Sequence, residues 1–342
     1  MFKSEPKPAV APAPIASIMR RHDTRPAVFV GPLGLRAGWG ILLFLIGVFG
    51  LWFLGAAGFT AVTGKGPDME RGRYMLLSHE LFPEVFKPFA CLLVALGIGF
   101  LERRRFGAYG LALRHLRDLL PGALWGLVIV SVFIGLLKIL HLLAFDGRLL
   151  HGTDAFRFGG GWLLFYLVVG LSEEFLFRGY ILFTLMRGVL RLAGRISSTH
   201  TRLVAFWISA LTWSLLFFVS HLTNAGETAV GLLGIFLFGI LSSYALWRTG
   251  SLWWGIGFHM TWDWTQSFLY GVPDSGTFSI GRLFSTHATG NPLLSGGVDG
   301  PEGSLLLIPM LLLAFVAIRL QPQAEQPPVE LELTPVTVTA FP

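Results

Sequence analysis

Residues 161–186 have the sequence GWLLFYLVVGLSEEFLFRGYILFTLM. This run is longer than the about 20 apolar residues that cross the hydrocarbon core of a bilayer, so it predicts a transmembrane helix. Three charged residues, Glu173, Glu174 and Arg178, nevertheless lie within it. A charged side chain at the centre of a membrane helix costs about 2.5–3.5 kcal/mol, so each of these three residues needs a partner or a function.

The composition of the whole chain agrees with a membrane environment. Of its 342 residues, 53% are hydrophobic and 13% are charged, which excludes a water-soluble globular domain and a disordered protein. The single cysteine, Cys91, excludes a disulfide framework and a zinc site built from cysteines. The net charge of +6 comes from basic residues at the ends of apolar runs. We therefore expect the lipid bilayer, and not a nucleic acid, as the partner of this chain.

Similar apolar runs predict an all-α fold, a polytopic transmembrane bundle of about eight helices with disordered tails. Lys87 and Pro88 weaken the second run, so a bundle of seven spans is the alternative. The predicted spans are 38–62, 83–101, 119–145, 161–186, 203–222, 229–247, 251–271 and 303–319.

These spans divide the chain into five predicted parts. They are a disordered cytoplasmic tail (1–36), N-terminal transmembrane helices (37–160), a core with most of the intramembrane charges (161–271), an outer loop with the last transmembrane helix (272–320), and a disordered tail (321–342). Lys and Arg are concentrated in the segments on the N-terminal side of the membrane. The positive-inside rule then predicts an integral, multi-pass protein of the cell (inner) membrane with both termini in the cytoplasm.

The charged residues of the fourth span predict an ion pair and one remaining carboxylate. Glu174 and Arg178 are four residues apart and lie on one helical face, with the acid on the N-terminal side, which favours an ion pair. Glu173 is turned by about 100° from Glu174, so Arg178 does not easily satisfy both acids. An unpaired carboxylate in this environment is a candidate general base for activating water. The alternative is that both glutamates share Arg178 as a purely structural contact between helices.

Two later spans add histidines and a third acid. His221 follows Phe217 by four residues near the end of the fifth span, where interfacial histidines without a function are common. In the seventh span, His259 and Asp263 are also four residues apart, so the carboxylate can orient one imidazole nitrogen while the other faces a cavity. The alternative is a pair that only joins helices. Together these residues can polarise water and stabilise an oxyanion, which indicates hydrolysis.

Three motifs follow one another in different predicted spans: EExxxR at 173–178, FxxxH at 217–221 and HxxxD at 259–263. The sequences HExxH, GxSxG and a Walker-type loop are absent, which leaves soluble zincins, serine hydrolases and P-loop NTPases without support. In its three motifs, the chain resembles the CAAX prenyl protease type II and bacteriocin-processing family (CPBP, or Abi). The prenyl-protein proteases of that family carry asparagine at the last position of the third motif.

This resemblance implies an intramembrane endopeptidase that cleaves membrane-associated peptides or proteins, with 161–271 as its catalytic core. It implies that Glu173 and His221 activate the water that attacks the scissile amide, and that Glu174 with Arg178 holds the site together. We expect the site to open laterally or to the cytoplasm. Two other functions stay open: a non-catalytic immunity or scaffold protein, and a proton-coupled transporter, since intramembrane acids and histidines also build proton relays.

The third motif and the cofactor remain open at this point. The resemblance implies that His259 and the residue at 263 stabilise the oxyanion, yet an ionised aspartate cannot donate a hydrogen bond as asparagine does. Asp263 is then available to orient His259 instead. The family is described both as glutamate-dependent proteases and as metalloproteases, so the cofactor is either none or a metal such as zinc. In the metal case, the implied ligands are Glu173, His221 and His259.

Overall fold

The computed structural model describes residues 28–31, 34–64, 73–102, 104, 109–222 and 227–324. This part of the chain is an all-α bundle, as the apolar runs predict. Most of the length of the predicted disordered tails lies outside the described residues. The end of the first predicted tail is described and ordered, because Val30–Gly31 pairs there with Gly34–Leu35. Within the described ranges, six helices are long and apolar enough to cross a membrane, namely Ala37–Thr63, Leu77–Leu101, Leu113–Ile139, Gly152–Ile196, Thr201–Ser220 and Ala229–Thr249.

The bundle contains long helices and several shorter ones. In chain order, the helices are α1 (Ala37–Thr63), α2 (Leu77–Leu101), α3 (Leu119–Ile139, after a 3-10 turn at Leu113–Asp118), α4 (Gly152–Glu173), α5 (Leu182–Ile196), α6 (Thr201–Ser220), α7 (Ala229–Thr249), α8 (Trp253–Trp264), α9 (Pro292–Ser295) and α10 (Leu307–Arg319). Two π-helical segments extend them: Glu174–Ile181 joins α4 to α5, and Thr265–Leu269 continues α8.

Several predicted spans differ from the observed helices. The span predicted at 119–145 ends at Ile139, because His141 adopts a left-handed conformation with a φ of 56° that ends the helix. The span predicted at 161–186 is the middle of one continuous helical stretch over 152–196. The last two predicted spans correspond to α8 with its π-helical extension and to α10, and both are shorter than the other six.

Six short strands form three pairs, and two of these pairs connect the loop after α8 to earlier parts of the described chain. Strands β1 (Val30–Gly31) and β2 (Gly34–Leu35) pair antiparallel, β3 (Tyr74–Met75) pairs parallel with β5 (Phe278–Ser279), and β4 (Leu143–Arg148) pairs antiparallel with β6 (Phe284–Ala288). Both β5 and β6 belong to the predicted outer loop. This loop, here named the roof loop (residues 271–303), is therefore folded against one end of the bundle.

Glycines allow α3 and α8 to approach each other closely. A Cβ atom at Gly122 or Gly126 of α3 would collide with backbone atoms of α8, and one at Gly257 of α8 would collide with the backbone of α3. The Thr261 hydroxyl donates a hydrogen bond to the Ala123 carbonyl oxygen across this contact, at 2.7 Å. Small residues commonly permit such close packing between membrane helices. The contact fixes the position of α8, which carries the third motif.

Candidate active site

Glu174 and Arg178 form a buried ion pair, in agreement with their spacing of four residues. The distance from Arg178 Nη1 to Glu174 Oε1 is 3.1 Å, and the two residues are 2% and 1% exposed. The Arg178 guanidinium also lies 4.6 Å from the centre of the Phe217 ring on α6. The ion pair therefore links the π-helical segment to α6. The positive charge of Arg178 is balanced by Glu174.

Glu173 has a different environment from its neighbour Glu174. Its side chain is 28% exposed and faces a cavity, where its Oε2 lies 3.9 Å from His259 Nε2. Since Arg178 is already paired with Glu174, the Glu173 carboxylate is the one that the spacing leaves over. A general base needs this kind of position, next to space that can hold water.

His259 contacts carboxylates with both of its ring nitrogens. Nδ1 lies 3.3 Å from Glu174 Oε1, and Nε2 lies 3.5 Å from Asp263 Oδ2. Because a carboxylate only accepts hydrogen bonds, Nδ1 is the donor to Glu174. Glu174, and not Asp263 alone, therefore orients the imidazole. Gly255 on α8 permits this approach, because a Cβ atom there would lie only 3.2 Å from Glu174 Oε2.

His221 follows the last residue of α6 and is oriented by its own helix. Its Nδ1 donates a hydrogen bond to the Phe217 carbonyl oxygen at 2.8 Å, and the two rings pack edge to face at 4.6 Å. With the proton on Nδ1, the neutral imidazole carries its lone pair on Nε2. His221 lines the same cavity as Glu173. The histidine thus offers a base or a ligand atom to the space that this carboxylate faces.

The cavity has a volume of about 210 Å³ and brings together four of the six predicted residues. Glu173, His221, His259 and Asp263 line it, while Glu174 and Arg178 lie behind them. Apolar side chains form most of the remaining wall, including Phe165, Phe217, Phe238, Leu307 and Leu311. A water molecule occupies about 30 Å³ in the liquid, so the space admits water together with part of a substrate.

Two acids of the roof loop, Asp274 and Glu302, also line the cavity, and no sequence pattern predicts them. Asp274 accepts hydrogen bonds from Gln266 Nε2 at 2.9 Å and from Ser267 Oγ at 3.2 Å. Glu302 accepts one from Trp262 Nε1 at 2.9 Å. Burial and the nearby Glu302 carboxylate raise the pKa of Asp274 well above its usual range. Unlike an acid inside an apolar span, an acid in a polar loop is ordinary in a sequence. Neither residue is therefore conspicuous before the structure is known.

The position of the roof loop constrains the opening of the site. Ser275, Thr277 and the two acids of this loop form one wall of the cavity. The site therefore lies at the end of the bundle that carries the loop predicted to be outer. A lateral opening of the cavity is compatible with either orientation of the roof loop.

The ligand atoms of the implied zinc ligands, Glu173, His221 and His259, are not close enough to one another to share one metal ion. Ligand atoms of one zinc ion lie about 2.0–2.2 Å from it, and therefore close to one another. In the part of the chain that the structure describes, the one group of three candidate ligands with atoms within 4.8 Å of each other is Asp263, Asp274 and Glu302. Glu173, His221 and His259 do not meet that spacing, so these three side chains do not fit a zinc ion in this arrangement.

One of three comparisons with known proteins found a match. A family model described as type II CAAX prenyl endopeptidase Rce1-like matches residues 155–265. The resemblance to the CPBP family is confirmed. The match covers less than half of the chain, includes all three motifs and ends before the roof loop. Neither the search of curated proteins nor the search of solved structures found a match. The likeness to CPBP proteases therefore concerns the helices that carry the motifs.

Proposed function

We propose that this chain is an intramembrane endopeptidase that hydrolyses peptide bonds of membrane-associated peptides or proteins, with water activated by Glu173 and His221. The observation that carries the proposal is the Glu173 carboxylate. It faces a cavity shared with His221 and His259, while the Arg178 guanidinium is paired with Glu174. The Rce1-like family match supports a CAAX-protease-like activity at the level of the reaction class.

The first step is the attack of water on the scissile carbonyl carbon. Glu173 accepts one proton from the water, and His221 Nε2 orients it by accepting a hydrogen bond from its other hydrogen. The water oxygen forms the new C–O bond, and the carbonyl oxygen becomes an oxyanion in a tetrahedral intermediate. When the C–N bond breaks, the leaving amine takes the proton that Glu173 holds. Glu173 thus acts first as a base and then as an acid.

His259 is the candidate for stabilising the oxyanion. Its Nδ1 proton is directed to Glu174, so a donor toward the cavity requires a second proton on Nε2. Asp263 Oδ2, 3.5 Å from Nε2, favours that orientation of the ring. Asp263 then acts through His259, whereas an asparagine at this position would donate to the oxyanion itself.

The test compares membranes of cells that express the wild-type chain or the Glu173→Gln variant. Mass spectrometry of newly formed protein termini identifies the cleaved membrane proteins, whichever proteins they are. We expect cleavage products with the wild-type chain and none with Glu173→Gln or His221→Ala, at equal expression and with nearly unchanged thermal stability. Glu80→Gln, an acid of α2 outside the cavity wall, is the matched control and retains cleavage.

Other outcomes would favour the other functions. Identical products from the wild-type chain and from Glu173→Gln contradict the proposal and support a non-catalytic scaffold. Equal loss of stability in all variants indicates that the motif residues only hold the helices together. A proton flux in liposomes that depends on Glu173, without cleavage, supports a proton-coupled transporter.

We also propose that both termini of this chain are cytoplasmic, in the cell membrane. The distribution of Lys and Arg supports this orientation. It places the roof loop and the cavity beneath it on the outer side.

A further inference from the structure

Acidic side chains from both the helices and the roof loop line the cavity. Glu173 and Asp263 lie on the helical wall, and Asp274 and Glu302 lie on the loop. Among the described residues that line it there is no Lys or Arg. The ligand atoms of Asp263, Asp274 and Glu302 lie within 4.8 Å of one another, so three carboxylates converge at one end of the site.

Asp263 points to a ligand that is not part of the protein. It is 7% exposed and lines the cavity, yet its carboxylate makes no hydrogen bond to any residue within the described ranges. Its contact with a nitrogen is the one to His259 Nε2, at 3.5 Å. A carboxylate that lines a cavity and accepts no hydrogen bond from the protein is free to accept one from a donor that enters the cavity.

The two loop acids are held in place by neutral donors only. Gln266 and Ser267 donate to Asp274, and Trp262 and the backbone amide of Ser275 donate to Glu302. These hydrogen bonds fix the carboxyl groups, but none of the donors carries a positive charge. A cationic group with several N–H donors, such as a guanidinium or an ammonium, would pair with these acids and favour their ionised form.

We propose that this cavity selects substrates with a positively charged side chain, Arg or Lys, next to the scissile bond. Asp274 and Glu302 of the roof loop, together with Asp263, bind that side chain. His259 links the two halves of the site, since it lies 3.9 Å from Glu173 and 3.5 Å from Asp263. The carboxylates likewise repel a substrate that brings a carboxylate to this end of the cavity. The inference rests on the proposed endopeptidase function and names its substrate class.

Equilibrium binding tests this preference separately from cleavage. Three fluorescent, apolar, C-terminally amidated peptides differ at one position, which is Arg, its uncharged isostere citrulline, or Glu. Fluorescence anisotropy measures their Kd for the purified chain in lipid nanodiscs, in a Glu173→Gln background that prevents cleavage. We expect the Arg peptide to bind about tenfold more tightly than the citrulline peptide, and the Glu peptide to bind most weakly.

The roof-loop acids provide the decisive variant. With Asp274→Asn and Glu302→Gln combined, we expect the Arg and citrulline peptides to bind equally, because the amides keep the shape and remove the charge. Asp146→Asn, in the exposed part of β4 outside the cavity wall, is the matched control and keeps the tenfold preference. The thermal unfolding temperature of each variant shows that it is folded.

The outcomes separate this inference from the proposed function. Equal binding of the Arg and citrulline peptides to the parent protein, or an unchanged preference in the double variant, overturns the inference. Zn²⁺ or Ca²⁺ binding that is lost in the double variant, without a preference for Arg, makes the carboxylates a metal site and also overturns it. A preference for Arg without any cleavage by the wild-type chain supports the recognition and contradicts the proposed function alone.

Discussion

Glu173 and Glu174 are adjacent in the chain and both contact His259, but only Glu174 is also paired with Arg178. Glu174 is 1% exposed and is held by Arg178 and His259, whereas the Glu173 side chain is 28% exposed to the cavity. One residue is therefore part of the packing of the bundle, and the other is available for chemistry. A change from carboxylate to amide should therefore lower the stability of the bundle at Glu174 and should abolish cleavage, with little effect on stability, at Glu173.

Arg178→Met tests the structural half of this pair. Removing one partner of a buried ion pair leaves the other charge without compensation, so we expect the free energy of unfolding to fall by about 3–5 kcal/mol. Thermal or denaturant unfolding in detergent measures this change. The double variant Arg178→Met with Glu174→Gln should lose less stability, because no buried charge is left unpaired.

Glu173→Gln is the comparison, and it should change the free energy of unfolding by less than about 0.5 kcal/mol. Equal losses at Glu173 and Arg178 would contradict the division of roles.

At the scale of helices, the site depends on the contact between α3 and α8. His259 and Asp263 lie on α8, and the glycines of α3 set how closely α8 approaches. The π-helical segment Glu174–Ile181 brings Glu174 to the other side of α8. Such segments are frequent at functional sites. The third motif is thus positioned by packing from two sides.

Gly126→Ala tests this packing. The new Cβ atom would overlap the Thr261 hydroxyl and would lie 2.5 Å from the Phe258 carbonyl oxygen, so α8 must shift. We expect a loss of about 1–3 kcal/mol in stability, which is typical of overpacking, and a loss of cleavage as His259 moves. Gly135→Ala is the matched control on α3, because nothing lies within 4 Å of its new Cβ. It should leave cleavage intact and stabilise the helix by up to about 1 kcal/mol. Equal unfolding temperatures for the two variants would exclude a role for the close contact.

At the scale of the whole molecule, the bilayer explains why much of the site is visible in the sequence. Charges inside apolar runs are rare because they are costly, so Glu173, Glu174, Arg178, His259 and Asp263 stand out without any structure. The same apolar runs predict the helical bundle. Their catalytic roles stay predictions, since geometry shows where these side chains lie and not what they do.

The remaining features depend on contacts between distant parts of the chain. Asp274 and Glu302 lie in a loop rich in Gly, Ser and Pro, where an acid is ordinary. They become part of the site only because β5 pairs with β3 and β6 with β4, which folds the roof loop onto the bundle. α3 likewise ends at Ile139, and the apolar residues that follow it enter β4, which pairs with β6. No local pattern of residues indicates these pairings.

The orientation of the whole molecule decides which side of the membrane reaches the cavity. Val298 of the roof loop is 58% exposed, and Ser198, between α5 and α6, is exposed at the other end of the bundle. The only cysteine, Cys91, is buried, so each new cysteine can be labelled selectively. If both termini are cytoplasmic, a membrane-impermeant maleimide should label Val298→Cys on intact cells and Ser198→Cys only after permeabilisation. The reverse pattern would invert the topology and place the cavity, with its acidic roof loop, on the cytoplasmic side.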